Sequence, residues 1–528
     1  MNLPDVRQRS RCIDELAPQH FDLVIVGGGI TGAGIMQLAA RSGLKVLLLE
    51  AADFASGTSS RSSKLIHGGI RYLAMGDFAV VRETALERSV ISALAPHMVV
   101  PRTLTMPVRS LFDFWKYRIG VTLYEMLGKV PASRRHTNLK GVALVAAIPE
   151  LSPRYRYAVQ YEEYLTDDAR LVLANLAAGS DQGGVALNYI PVTKIEPAEQ
   201  SGSRMLVQAR CGLTGRELKV STRGVINAAG PWVPQVCALA NVDTDQPMVL
   251  SRGVHICIDV DTLAINAPLL LTAEDGRPVF VVPAGDVIYI GTTDVPCEHA
   301  DRWPEVTEAE TKYLLDVFNG HFGSSVTAED CLHSWAGIRP LVSQGEKGSK
   351  EISRRDEIWR TSDGILTIAG GKLTGYRRMA EKVLAAADVH FGLTLDPPAT
   401  EFLPGGDNDG LEPLCRSLSH SYPDVSHRVL QRLAQVYGSF ASEVLSMGQE
   451  TFGMMVSGEI RWAVEREGAS QLEDVLYRRA RVATYFPRSL PETLDPAVTL
   501  MATLMDWTDE ECRRQKAAMA ATEPELSG

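Results

Sequence analysis

The chain has 528 residues, 45% of them hydrophobic and 22% charged, which is the balance of a globular protein with material for roughly two to four folding units. A formal net charge of −11 argues against a nucleic-acid binder, which needs a cationic field. The eight cysteines are scattered with no C-x-x-C pair, so neither a disulfide scaffold nor a metal site is favoured, and a reducing cytosolic compartment is expected.

Met1 to His20 reads as a polar tail without the apolar core of a signal peptide. No run of about 18 apolar residues follows, so any membrane role would be peripheral. Phe21 to Val26 (FDLVIV) has the composition of a buried parallel strand, and a helical stretch to Arg41 and a second strand, Lys45 to Leu49, come after it. Further strands are predicted over Gly224 to Ala228, Val279 to Pro283, Val287 to Ile290 and Ile365 to Ala369, with helices over Ala169 to Ala178 and Thr374 to Val389. Past about Pro397 strand signals fade, and Pro404-Gly405-Gly406 and Gly410 mark a linker. The predicted division is an α/β unit over 20–398 and a helical C-terminal domain over 399–528.

Gly27-x-Gly29-x-x-Gly32, with Ile30 and Thr31 in the same turn, sits between the first strand and its helix, and Glu50 closes the second strand. Glycines there permit a tight turn and let backbone approach a pyrophosphate, whose charge the helix N-terminus stabilises. A carboxylate at Glu50 would accept hydrogen bonds from ribose hydroxyls and repel a 2′-phosphate. The motif leaves FAD and NAD open. Two observations favour flavin. No second strand–GxGxxG–helix occurs, and the strand at Ile365 runs into Gly370-Gly371-Lys372-Leu373-Thr374, a second backbone nest suited to an electron-rich ring. The fold class expected is α/β: a Rossmann-type FAD-binding domain with a mixed-sheet substrate lobe, followed by helices.

Several longer stretches carry a resemblance. They are Thr58 to Leu73 (TSSRSSKLIHGGIRYL), Asp167 to Leu171, Asn227 to Trp232, Gly291 to Asp294, Gly337 to Leu341 and Gly370 to Arg377. Together they resemble the FAD-dependent glycerol-3-phosphate dehydrogenases, within the D-amino-acid-oxidase-like flavoproteins. The likeness is dense from about residue 20 to 400 and thinner beyond, where Leu403 to Gly406 and Tyr477-Arg478-Arg479 are similar to that family's C-terminal domain. Two positions depart from the family pattern: Val254 stands before His255 where a small polar residue is usual, and Gly375 replaces a threonine.

The resemblance implies oxidation of glycerol 3-phosphate to dihydroxyacetone phosphate at the cytoplasmic face of a membrane, with membrane quinone as acceptor. A phosphate calls for arginine, whose planar fork gives paired charge-assisted bonds. Arg71, Arg339 and Arg355 are the candidates, with Tyr72 as a neutral donor; Arg71 and Arg339 are read as lying in turn-like segments. Removing the hydroxyl proton needs a base with a near-neutral pKa, and His255, on the strand-like run Val254 to Ile258, is the first candidate. Arg339 would also stabilise a developing alkoxide. His67 is the second candidate base, expected first as a flavin contact, and Lys372 is expected beside the flavin's pyrimidine edge. Thr58, Ser59, Ser60, Ser63 and Lys64 would supply hydroxyls and amides to the ribityl and phosphate groups, with Leu65 and Gly68 in the same stretch. Gly371, Leu373 and Thr374 complete the nest; Val192, Ala228 and Gly230 are placed on the adenine and pyrophosphate side by resemblance alone.

Residues 109–140 hold seven lysines and arginines against Asp113 and Glu125, interleaved with Phe112, Phe114, Trp115 and Tyr117. That mixture suits an anionic lipid surface as well as it suits an ordinary packed helix. The competing readings are an amine or amino-acid oxidase on the same scaffold, a glycerophosphate oxidase using oxygen, and a non-catalytic flavoprotein. A homodimer is one assembly open to the chain.

Overall fold

The computed structural model describes residues 3–69, 73, 76–198, 204–243, 247–342, 356–396 and 401–522. Strand β1 (His20–Val26) lies between β2 (Val46–Leu49) and the strand Glu217–Asn227, parallel to both. Leu23, Val24, Ile25 and the whole of β2 are buried because helices cover one face and a second layer covers the other. Continuous apolar runs are what a sheet buried on both faces requires. The covering helices are Ile30–Arg41, Asp168–Ser180 and Tyr376–Phe391. In this sheet the order runs Asp356–Ser362, Ile365–Gly370, Glu217–Asn227, β1, β2, Val185–Leu187. The carboxyl ends of β1, of Glu217–Asn227 and of Ile365–Gly370 therefore share one edge, and Gly27, Ala228 and Gly370 emerge there together. Ligands of such sheets bind at that edge.

A second sheet, mostly antiparallel, forms the other lobe. Its central strand is Met248–Asp259, paired on one side with Val287–Gly291 and on the other with Cys331–Val342. Leu269–Thr272 joins Val99–Val108 in parallel, which makes the sheet mixed. Val99–Val108 then runs antiparallel to Tyr157–Thr166. Beyond Leu411 the chain is helical, packed around Leu433, Trp462 and Met501, with one short hairpin of Thr451–Phe452 against Met455–Val456.

Two expectations need correction. Arg339 does not lie in a turn: it is on the twelve-residue strand Cys331–Val342, held by pairing along the length of Met248–Asp259. Nor is the N-terminus a loose polar tail. Arg9–Leu16 is a helix whose Ile13 and Leu16 are buried, and Val6 joins the core of the C-terminal helices. Three apolar residues at helical spacing suffice to dock so short a segment.

Candidate functional site

A cavity of about 520 Å³ opens at the shared strand edge, lined by Gly27, Gly29, Ile30, Thr31, Glu50, Thr58, Ser59, Val192, Ala228, Gly230 and the nest Gly370 to Leu373. Gly27 has φ +114°, a conformation open to glycine, and a Cβ there would overlap the carbonyl of Ala228. Gly32 does not line the cavity; it packs beneath the turn, where a side chain would strike the carbonyl oxygen of Gly27. Glu50 is fixed by its own backbone neighbours. The N–H groups of Gly28 and Ala52 donate to its two carboxylate oxygens at 2.6 and 2.8 Å. Burial pushes its pKa up, and these two hydrogen bonds oppose the shift. Ser59 accepts from the Ile30 amide at 2.9 Å, so the hydroxyl loop sits on the start of the helix. Across the cavity, Gly370 and Gly371 both have positive φ, as a backbone nest demands. Two glycine turns lining one cavity, with an oriented carboxylate and a lysine also on its wall, fit a long dinucleotide.

A second cavity of about 320 Å³ is continuous with the first through Thr58, Ser62, Pro340, Gly371, Lys372 and Leu373, which line both. His255 and Arg339 face it. Their relation follows from register. His255 lies opposite Trp335 and Ser251 lies opposite Arg339, with Gly253 facing Gly337 between the two pairs. Side chains two residues apart share a face of a sheet, so the imidazole and the guanidinium project the same way across a gap that holds no side chain. A Cβ on Gly253 would overlap the Arg339 guanidinium, and one on Gly291 would overlap the His255 ring.

His255 is 2% exposed, stacked on Trp335 with centroids 5.0 Å apart, and its Nε2 is 2.9 Å from the Ser63 hydroxyl. Burial drives its pKa well below the usual imidazole value, and the charges of Lys64 and Arg339 push the same way. The ring is held neutral, and the near-neutral pKa expected of this base is corrected downward. Arg339 donates to the Thr292 hydroxyl at 3.0 Å and the Thr293 carbonyl at 3.2 Å, and pairs with Asp294 at 3.4 Å. The Thr374 hydroxyl bridges the backbone N–H and carbonyl of His67, both at 3.1 Å, which ties the nest to the stretch around His67. Ser63, Leu65 and His67 line this second cavity and not the first.

Other expected residues are placed differently. Lys64 lines neither cavity; its ammonium lies 3.3 Å from both oxygens of Asp168 and donates to the Ser60 carbonyl at 2.8 Å. Ser60 and Gly68 also lie outside both linings, Gly68 donating its N–H to the Tyr124 hydroxyl at 3.0 Å. Arg71, Tyr72 and Arg355 lie outside the described residues.

Sequence reasoning missed Arg61 and Arg277, which both line the second cavity. Arg61 is buried with its guanidinium 4.0 Å over the Trp303 ring, and burial together with the charge of Arg478 lowers its pKa to about 9. A lone arginine inside a serine-rich run, Ser59-Ser60-Arg61-Ser62-Ser63, was the signal that could have found it. Arg277 is paired with Asp275 at 2.6 Å, and nothing near it in sequence marks it out.

Residues 22–377 match a family model described as FAD dependent oxidoreductase, and residues 399–512 match one described as the C-terminal domain of alpha-glycerophosphate oxidase. The chain is similar to an aerobic glycerol-3-phosphate dehydrogenase of Staphylococcus aureus, 34% identical over 525 residues that cover 95% of this chain and 94% of the relative. Its fold is similar to that of a glycerol-3-phosphate dehydrogenase from Bacillus halodurans complexed with FAD, with a TM-score of 0.81, 29% identity and 99% of each chain covered. An L-alpha-glycerophosphate oxidase from Mycoplasma pneumoniae with FAD bound shares the fold at a TM-score of 0.57 and 17% identity, over 74% of this chain and 98% of that one.

Proposed function

From the premise that this chain belongs to the FAD-dependent oxidoreductases, we propose that it oxidises sn-glycerol 3-phosphate to dihydroxyacetone phosphate and passes the electrons to a membrane quinone. One observation carries the reading: a buried neutral histidine and an oriented arginine share one face of a sheet and line the second cavity, which borders the first.

In this reading Glu50 holds the adenosine ribose, and Gly27, Gly29 and the Ser59 loop hold the pyrophosphate. Bound FAD would supply the two-electron acceptor for the hydride that leaves C2 of the substrate. His255 takes the proton of the C2 hydroxyl, so that loss of one C–H and one O–H bond leaves a carbonyl. Arg339 stabilises negative charge building on that oxygen, held in aim by Thr292 and Asp294. Arg339 also binds phosphate together with Arg71, Tyr72 and Arg355. Lys372, on the nest that borders both cavities, would place positive charge beside bound FAD and so favour its reduction.

The quinone assignment is supported by one helix. Leu111–Leu127 buries Phe114, Val121 and Tyr124 but leaves Phe112 78%, Ile119 65%, Met126 63% and Trp115 46% exposed. Those four fall on one stripe at helical spacing, with Lys116 and Arg118 beside it. An apolar stripe flanked by cations suits insertion at an anionic bilayer surface, on the cytoplasmic side. Among the described residues no helix is long and apolar enough to cross a membrane. The division into an oxidoreductase unit over 20–398 and a helical domain over 399–528 belongs to the same reading, and so does a homodimer.

A second reading, an oxidase using oxygen, is favoured by the C-terminal match to alpha-glycerophosphate oxidase. The test is the visible spectrum of the purified flavoprotein under anaerobic conditions. Glycerol 3-phosphate should bleach the flavin band and amino acids should not; a spectrum unchanged by glycerol 3-phosphate overturns the substrate. Reoxidation by a soluble quinone analogue much faster than by air, without hydrogen peroxide, supports the dehydrogenase over the oxidase.

A further inference from the structure

The stretch Tyr477-Arg478-Arg479 takes no part in the reaction above, yet its arginines are among the most deeply buried charges in the protein. They belong to the wide helical turn Asp474–Arg479 of the C-terminal helices and point at the cofactor-binding part. Asp53, fully buried and three residues past Glu50, receives them. Arg479 grips it with a two-pronged guanidinium, Nη2 donating to Oδ1 at 2.9 Å and Nη1 to Oδ2, while Arg478 Nε donates to Oδ2 at 2.5 Å. Asn188 adds a fourth donor to Asp53 at 2.8 Å. Burial alone would raise the Asp53 pKa, but the two arginines outweigh it and hold the carboxyl down at about 2.

What Asp53 controls is the cavity wall. Glu50, Ala51, Ala52, Ala55, Ser56 and Gly57 all line the first cavity, and Asp53 is the anchor in their midst. Ala55 N–H donates to the Gly28 carbonyl at 3.0 Å, so the anchored loop is bonded to the glycine turn itself. Tyr189 makes a parallel link: its N–H donates to the Ala52 carbonyl at 2.7 Å and its hydroxyl to Asp474 at 2.7 Å. Arg481 repeats the arrangement on the other side. It pairs with Asp167 at 3.0 Å and Asp168 at 3.1 Å, and Asp168 both lines the cavity and accepts from the Ser62 N–H and hydroxyl. None of Arg478, Arg479 and Arg481 lines either cavity.

We propose that Arg478, Arg479 and Arg481 are positioning residues that clamp the wall of the FAD cavity from behind, so that docking of the C-terminal helices and binding of FAD are thermodynamically linked. Linkage is reciprocal: if the clamp raises affinity for FAD, FAD tightens the clamp by the same factor. A buried bidentate pair is suited to this because its geometry is all-or-none, and lysine cannot reproduce the fork.

The inference rests on the first cavity being the FAD site, and the experiment separates the two. Amide hydrogen exchange is measured on the full wild-type chain with and without FAD. Residues 474–481 should exchange at least about fivefold more slowly when FAD is bound, although they do not touch the cavity. Unchanged exchange there with FAD demonstrably bound overturns the linkage alone; a chain that takes up no FAD overturns both. Arg479→Lys should raise the FAD dissociation constant about tenfold while the KM for glycerol 3-phosphate, read at saturating FAD, stays the same. Met501→Ala, which weakens the C-terminal core without touching the clamp, should lower the Tm and leave FAD affinity unchanged. Equal loss of FAD affinity in both variants would show general destabilisation and overturn the clamp. Should Arg479→Lys fail to fold, the wild-type exchange result decides.

Discussion

The histidine lining the second cavity is unusual in being a base whose environment refuses the proton at rest. His255 is buried against Trp335 with its Nε2 on Ser63, and burial plus two nearby cations lowers its pKa well below 6.5. The neutral form is the active one for taking a hydroxyl proton. Activity should therefore hold as pH falls through 6.5 and decline only when the pH reaches the depressed folded value. A profile of kcat/KM against pH checks this: an acid limb centred at or above about 6.5 would assign the base to another group. His255→Asn should lower kcat by roughly 10²–10⁴ while flavin content stays at the wild-type level. Ser63→Ala isolates the orienting hydrogen bond. With no partner for Nε2 the ring loses its fixed aim, and kcat should drop about tenfold with less change in KM. The strand that carries His255 was legible in the sequence as the apolar run Val254 to Ile258. Arg61, a buried cation at this cavity, was not, since burial of a guanidinium depends on Trp303, 242 positions away in the chain numbering.

Strand pairing makes the site out of distant segments, and pairing is what local patterns encode least. Gly253 faces Gly337 so that Arg339 can lie across the gap. Gly253→Ala would push the guanidinium off Thr292, so KM for glycerol 3-phosphate should rise at least about tenfold with flavin binding intact; overpacking of this kind costs about 1–3 kcal/mol. An unchanged KM would remove Arg339 from substrate recognition. The strand carrying Arg339 looked like a turn because Gly337 and Pro340 bracket it, yet Pro340 stands opposite Leu250 within a continuous ladder. Val99–Val108 was missed for a similar reason: Pro101 and Pro107 argue against a strand, but both are in register with Tyr157–Thr166. By contrast β1, β2 and Ile365–Gly370 were read to within about two residues, since strands buried on both faces announce themselves as apolar runs. The exposed stripe on Leu111–Leu127 was visible only as basic and aromatic composition; the structure shows which side is covered. Replacing Trp115 and Phe112 by serine should abolish cosedimentation with anionic vesicles while leaving turnover with a soluble dye unchanged. Undiminished cosedimentation would return this helix to ordinary surface.

At the scale of the whole molecule, the helical C-terminal region was foreseen from fading strand signals, but not its grip on the first part, because Arg479 and Asp53 are 426 positions apart. The same junction holds a histidine that contributes to the response to acid. His97 lies between the helix Phe78–Leu94 and the strand Val99–Val108, facing Gly405 of the linker to the C-terminal helices. It is 1% exposed, and burial, reinforced by the charge of Arg170, lowers its pKa to about 3. Above about pH 6.5 the residue is neutral in both the folded and the unfolded chain, and pH leaves its contribution unchanged. As the pH falls below that value the unfolded chain takes up a proton that the folded chain refuses, so stability falls by on the order of 1 kcal/mol per pH unit until the folded pKa is reached. His333, lowered to about 4 chiefly by burial, acts in the same direction. Glu50 and Glu163, whose pKa values burial raises, act in the opposite one. The raw pH dependence of Tm thus mixes opposing groups, and a difference between two proteins isolates one of them. His97→Leu removes the titration and keeps an apolar group of similar size. Between pH 7.5 and 5 the variant should gain roughly 2 kcal/mol on the wild type, seen as a Tm difference that moves steadily in its favour. A difference constant across that range would mean that His97 takes its proton in the folded state, through an opening of the seam between the two parts.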